Sequence, residues 1–473
     1  MSFNLVRNSR VFFTTNVNGF GVVQATGLAP TNTFELQVLD GFSFSQNTQS
    51  ETVTLNEGGA APVRGQRSFN TSLDPVDFSF STYVRPRVDG GLITCEESVL
   101  WNAVAGSGAI GVATLTGGTF ANITRSTTSD SEAVVTLTGL TAASVTVGEI
   151  YTIRGITGTY ADEWNTPVRV TAVDLGADTI SVNYLTAPSA AAGTTVSTAT
   201  SFGFATGAFA SNASSAIVTF GNSNKHQLQT FGMIMVVDGI VYAIDNCALD
   251  QASIDFGLDA ISMVAWTGKG TALRQLASTT VTTGATPSFS GGLTGTATGK
   301  NTTAPYIANK LSTMKLISNI AGISGTEYAI AITGGNLTIA NNLTYLTPAN
   351  LGVVNTPITY FTGTRAISGN VTAYLRGGSG NPTSKLLQDM LASSATSVDP
   401  KFRIQLEVGG ATNAVRLELE MNSAMLTIPT VNVEQVVSTQ INFTAQGHTA
   451  EYASNADYDI TNTNELKVRY YSA

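Results

Sequence analysis

Charge is what this sequence has least of. Over 473 residues it carries 23 Lys and Arg and 32 Asp and Glu, 12% in all, against about a quarter in ordinary soluble proteins. Long surface helices need Glu, Lys and Arg to solvate their outer faces, so helices should be few. Histidine is scarcer still, with only His226 and His448, each in a polar segment that reads as surface. Acid-base, nucleophilic and metal chemistry draw on His, Cys, Asp and Glu, so an enzyme or a metal centre has little to work with. The two cysteines, Cys95 and Cys247, form no C-x-x-C or Cys/His cluster and read as buried reduced thiols, which excludes disulfide stapling as the design. Basic excess is missing too. A net charge of −9 and a pI near 4.8 argue against a protein that grips nucleic acid, because such proteins gain affinity by neutralising phosphates with clustered Lys and Arg. No run approaches ~18 uninterrupted apolar residues. The start, MSFNLVRN, lacks a basic segment followed by an apolar run and a cleavage site. The expectation is a chain made soluble in a cytoplasm, with no membrane partner.

What is present is Gly, 46 residues of it, with abundant Thr, Ser, Ala and Asn, the composition of many strands and turns. The length allows about two to four domains. Phe34, Leu36 and Val38 alternate with Glu35 and Gln37, and after Asp40-Gly41 the residues Phe42 and Phe44 alternate with serines. That period of two predicts strands with one buried face. Residues 64–86, RGQRSFNTSLDPVDFSFSTYVRP, read as a long hairpin turning at Leu73-Asp74-Pro75. A short helix is expected over 97–105, with Thr94 as its cap, Glu97 as capping-box partner, and Val99, Leu100, Ala103 and Val104 as its apolar stripe. From about 108 to 204 the texture becomes Thr/Ala/Gly-rich short strands, and residues 278–303 read as a polar linker.

An internal duplication carries most weight. FELQVLDGFSFSQNTQSETV from Phe34 matches YAIAITGGNLTIANNLTYL from Tyr328, with a one-residue slip at the Asp40-Gly41 and Gly334-Gly335 turns. GQR followed by FSFSTYVR matches GTR followed by GNVTAYLR, pairing Tyr83 with Tyr374 and Arg85 with Arg376. The helix at 97–105 pairs with 385–392. The segment from Tyr242 pairs with that from Met425, placing Asp250-Gln251 over Glu434-Gln435 and Trp266 over Phe443. Tyr83 to Asp250 spans 167 positions and Tyr374 to Glu434 only 60. The surplus of 107 therefore falls in the first copy alone and should project from one surface as a decoration.

Several residues were candidates for chemistry. TGKGT at 267–271 lacks the G-x-x-x-x-G-K-S/T spacing of a phosphate loop and reads as a turn. Asp245, Asp250, Asp255 and Asp259 fall at a spacing near five, which along strands throws successive carboxylates to opposite faces, so a divalent-ion site is not expected. There is no G-x-S-x-G elbow to support a Ser-His-Asp arrangement. Arg416, Glu418 and Glu420 share one strand face opposite Leu417, Leu419 and Met421, which reads as a solvated face or, alternatively, a channel lining. Asn336-Leu-Thr and Asn342-Leu-Thr are acceptor triplets that the composition alone explains. No catalytic residue, cofactor or metal ligand is assigned.

The ordered blocks LVRNSRVFF, NEGGAAPVRGQRSFNTSLDPVDFSFSTYVRP, DQASIDF with VAWTGKG, and PYIANKLSTMKL through ITGGNLTIANNLTYLTP to PITYFTGTRAISGNVTAYL closely resemble the tail tube proteins of long, non-contractile-tailed phages of the coliphage T-five type. The resemblance covers nearly all the chain outside roughly 108–203. It implies a structural protein, not an enzyme, with two fused tube domains per chain, trimeric pseudo-sixfold rings, and a hollow tube in the virion tail, assembled in the host cytoplasm. It also implies as partners further copies of the chain and the tape measure, tail completion and baseplate proteins, with DNA passing through the lumen without specific binding. Charge repulsion adds the expectation that the inner-barrel strands carry acids, with apolar faces packed behind them, so that DNA slides through an acidic lumen. Coliphage-type members carry an immunoglobulin-like domain after the second repeat, whereas here the extra domain interrupts the first. The expected fold is mainly β: two tandem tail-tube-type β-sandwich domains, each with one short helix, plus an inserted small β (Ig-like) domain. The expected division is a first tube domain at 1–107 and 204–285, the insert at 108–203, a linker at 286–309 and a second tube domain at 310–473. Alternative readings are another virion β protein, a baseplate hub or capsid decoration, and a glycan-binding adhesin.

Overall fold

The computed structural model describes residues 9–29, 32–39, 41–53, 67–105, 111–145, 147, 150–184, 188–206, 209–221, 228–237, 240–276, 281–282, 288–289, 305–318, 320, 323–351, 353–394, 401–410, 415–432, 437–446 and 464–472. Most of the linker expected at 286–309 and both histidines lie outside them.

Period-two alternation becomes a long antiparallel front sheet. Its strands are β1 (Ser43–Ser45), β2 (Val76–Tyr83), β3 (Ile240–Asp255), β4 (Met263–Gly270), β5 (Ile332–Ala340), β6 (Ala366–Tyr374), β7 (Thr430–Asn432) and β8 (Ser438–Ala445). They pair in the order β1-β2-β4-β3-β5-β6-β8-β7. The first four and last four strands thus repeat one pattern and are joined edge to edge by β3 and β5. In β2, Val76, Phe78, Phe80 and Thr82 are buried while Asp77, Ser79, Ser81 and Tyr83 point the other way.

Behind each half lies a back sheet with the same ladder. In the first half Thr33–Leu36, Ser9–Thr14, Phe231–Val237, the first half of β3 and Ala272–Leu276 pair in that order. In the second, Glu327–Ile330, Thr313–Ser318, Lys401–Val408, Arg416–Leu426 and Asn464–Tyr471 do so. The fold is two β-sandwiches, each with one helix: α1 (Ser98–Ala105) and, in the second half, a helix over Thr383–Ser394. One apolar cluster runs through both halves and includes Phe78, Phe231 and Trp266 of the first and Leu337, Phe402 and Leu419 of the second. Trp101 of α1 meets Trp266 edge-on at 5.0 Å, and full burial of a side chain that large contributes roughly 2–3 kcal/mol.

β3 serves both sheets because it bends at Asn246, which sits in the left-handed region at φ 47°, a conformation Asn tolerates better than most residues. In the second half Pro429, which has no N–H to donate, separates Arg416–Leu426 from β7. The back-sheet part of β3 therefore corresponds to Arg416–Leu426 and its front part to β7. The ladders also shift one inferred equivalence. Tyr83 pairs with Met263 and Phe80 with Trp266, whereas Tyr374 pairs with Ser438 and Val371 with Ile441. With Tyr83 over Tyr374, Trp266 lies over Ile441 and not Phe443. A two-residue slip leaves every side chain on its own face, so the apolar pattern cannot detect it. Glu434-Gln435 lie outside the described residues.

Four local expectations are corrected. Residues 64–86 are not a hairpin: the strand Arg67–Leu73 pairs with Thr48–Val53, and β2 pairs with β1 and β4. The segment 267–271 is not a turn, since β4 runs to Gly270. Its Gly268 is required by packing, as a Cβ there would lie 2.7 Å from the Ala248 carbonyl. Gly334-Gly335 is a bulge inside β5, with the register shift between Ile332 and Gly334. Thr94 lies in the strand Leu92–Cys95, and the cap of α1 is Glu97, whose carbonyl accepts the Leu100 and Trp101 N–H groups.

Residues of the extra segment form a sheet of their own. Its eight strands run from Gly111–Ala113 to Ala199–Thr206 and enclose a separate core of Ile153, Trp164, Val168, Tyr184 and Phe204. A four-residue helix, α2 (Ala161–Trp164), carries that tryptophan inward.

Candidate assembly surfaces

The joint between β3 and β5 shows how one half of the chain holds the other. Ser253 lies opposite Thr338, Ile254 opposite Leu337 and Asp255 opposite Asn336. At one end Asn341 donates its side-chain amide to the carbonyls of Val104 and Leu249, both at 3.1 Å, and the Asp250 carboxylate accepts the Leu343 N–H at 2.8 Å. Asp250 is thus a backbone acceptor at the seam.

The same ladder is open at both outer ends. Among the described residues β1 pairs only with β2, and β7 only with β8. In the repeat, β1 occupies the place of β5 and β7 that of the front part of β3, so the two free edges are the two sides of the internal joint. Unpaired strand edges are templates for further pairing. The exposed apolar side chain of Val431 on β7 fits that role.

Two arms leave the front sheet, one per half. Thr48–Val53 with Arg67–Leu73 forms the first, its outer part largely exposed, including Val53 and Phe69. Leu343–Leu346 with Thr359–Thr362 forms the second. The second arm lies back on the first half: Tyr345 shares its single hydroxyl hydrogen between the carbonyls of Lys269 (2.7 Å) and Asn246 (2.9 Å), and Tyr360 donates to the Leu228 carbonyl (2.8 Å). Burial raises the pKa of both phenols, keeping them protonated donors. Beyond this anchor Leu351, Val353, Val354, Ile358 and Phe361 are all exposed, a concentration of apolar surface that marks a contact site.

The open face of the front sheet is a carpet of hydroxyls and amides: Ser79 and Ser81, Ser253, Thr338, Ser368, Asn370, Thr372, Gln440 and Asn442. Its charged groups within the described strands are Asp77, paired with Lys269 at 2.7 Å, and Asp255.

The expected solvated strip of Arg416, Glu418 and Glu420 is buried, each under a tenth exposed. Glu420 accepts from Lys467 at 2.9 Å and pairs with Arg403, while Glu418 accepts from Arg469 (3.2 Å) and from the Tyr471 hydroxyl (3.0 Å). Burial alone would push the Glu420 carboxyl up, but Lys467 and then Arg403 hold it down at about 2. The strip is an ionic strut, hidden because Asn464–Tyr471 pairs alongside it and sets Arg469 opposite Glu418 and Lys467 opposite Glu420, which no local pattern signals. Two further aspartates have side-chain partners: Asp245, buried, takes the N–H of Val23 and the guanidinium of Arg274, and Asp259 lies 3.9 Å from Lys310. Cys95 and Cys247 are free and buried, their thiol pKa values raised by burial. No helix among the described residues is long and apolar enough to cross a membrane.

No family model matches the chain. It is 26% identical over 451 residues to the tail tube protein pb6 of Escherichia phage T5, covering 94% of this chain and 73% of that protein. The resemblance to T-five-type tail tube proteins therefore extends over almost the whole chain, beyond the blocks that first carried it.

Proposed function

We propose that the chain is the structural subunit of a phage tail tube, in which three copies close a ring and rings stack into a hollow conduit for DNA. The observation that carries this reading is the match between the free edges and the internal joint. If β7 of one copy pairs with β1 of the next as β3 pairs with β5, every seam in the ring is alike, and two halves per chain close a sixfold arrangement with three chains. Eight front strands per chain then make a barrel of twenty-four, and the edges vanish. The similarity to pb6 supports the same role. The exposed arms supply contacts between successive rings, and the tape measure, tail completion and baseplate proteins meet the tube along its lumen and at its ends.

In this arrangement the open face of the front sheet lines the lumen. The hydroxyls and amides of the described strands give phosphates no cationic patch, and the charged groups of those strands leave a net single negative charge per chain, a weak acidity that lets DNA slide. The role is mechanical and not enzymatic. Electron microscopy of the purified protein tests it. Stacked rings with a central hole and threefold composition are expected; monodisperse globules, as an adhesin or decoration protein would give, or rings of six chains, would overturn it.

A further inference from the structure

A cleft of about 290 Å³ lies between the insert and the body of the chain. Its floor is a strand pair joining the two halves, with Ile217 opposite Arg469 and Thr219 opposite Lys467, and Tyr471 beside them. Asp162 and Glu163 of α2, together with Pro167 and Pro188, form its walls.

Its chemistry is mixed and nearly balanced. Lys467 and Arg469 are already matched by Glu420 and Glu418, their cross-strand partners on the neighbouring strand, so the cleft is not an anion trap. Asp162 accepts from the Ala213 N–H (3.3 Å) and the Ser214 hydroxyl, and Glu163 from the Ser189 N–H at 2.5 Å. These bonds fix both carboxylates while leaving them acceptor capacity. Thr219 lines the cleft and is only 2% exposed, and among the described residues its hydroxyl has no hydrogen-bond partner. A buried polar group left unsatisfied is costly, so the site wants a ligand that can both donate and accept. Pro167, Pro188, Ile217 and the Tyr471 ring add flat apolar surface, and Arg416 stacks on that ring at 3.7 Å, holding it in place.

We propose that this cleft binds a neutral polyhydroxylated ring of monosaccharide size, with C–H faces on the prolines and Tyr471 and hydroxyls on Thr219, Asp162 and Glu163. The volume sits at the lower end of small-molecule sites, about 300 Å³ and upward, which suits one sugar ring and excludes a peptide or a nucleic acid. The proposal is independent of the tube reading.

Saturation-transfer NMR on the full-length protein tests it, with glucose, galactose and N-acetylglucosamine as probes and sodium sulfate as competitor. Transfer to at least one sugar, unaffected by sulfate, is expected, and Thr219→Val, isosteric and suited to a strand, should weaken that sugar about tenfold while leaving the melting temperature in place. Absence of transfer to all three sugars, displacement by sulfate, or equal affinity in Thr219→Val would overturn it.

Discussion

At the scale of single residues the most informative group is Glu97. It caps α1 in the first half, yet its carboxyl accepts the hydroxyl of Tyr470 at 2.6 Å, on the last strand of the second half, and Tyr470 in turn accepts from the Trp101 indole at 2.6 Å. Burial without a counter-ion pushes Glu97 up to about 8. A carboxyl raised above its unfolded value near 4.5 stabilises the fold fully below that value, and this contribution is lost as pH rises through 8. Glu97→Gln keeps the acceptor and cannot ionise. Its stability relative to the parent should therefore rise with pH between about 5 and 8, by up to ~1.4 kcal/mol per pH unit, and be level below. Urea unfolding at a series of pH values measures this; parallel curves would show that the carboxyl does not titrate in that window.

At the scale of elements, the repeat specifies an intermolecular register. Ala265 pairs with Ser253 and Gln440 with Thr430, so Thr430 takes the place of Ser253; by the β2 and β6 ladders Ser45 takes that of Thr338. Ser253 opposite Thr338 then implies Thr430 of one protomer opposite Ser45 of the next. Opposed residues of antiparallel strands lie about 4.5–5.5 Å apart at Cα, within disulfide range. The double variant Ser45→Cys, Thr430→Cys should give covalent trimers on non-reducing gels after assembly, with each single variant remaining monomeric. The buried native thiols leave a clean background. Dimers without trimers, or no cross-link in assembled tubes, would refute this register.

At the scale of the whole molecule, the extra segment is separable in its packing: among the described residues its sheet, within 111–206, shares no strand pairing with the front or back sheets and has its own core. Replacing 111–206 with a short Gly/Ser linker should leave ring diameter at the lumen unchanged in micrographs and thin the outer wall. Loss of ring formation would instead assign the insert to the seam. The insert faces Lys467 and Arg469 across the cleft, so the truncated protein should unfold at lower denaturant, because these partners of Glu420 and Glu418 would meet water on one side.

Much of this was legible in the residues themselves. Alternation in VDFSFSTY and STQINFTA marked strands with one buried face, the scarcity of charge foretold few helices, and four recurring blocks announced a doubled fold with one interruption. Those signals are local or repeat in order, so they survive without coordinates. Tertiary structure alone decided which strands pair. It placed Arg67–Leu73 in an arm and not beside β2, joined β3 to β5 across the repeat, and buried Arg416, Glu418 and Glu420 against Lys467 and Arg469. A side-chain period fixes which way a residue points relative to its own strand, but what lies opposite is set by hydrogen bonds between segments far apart in the chain.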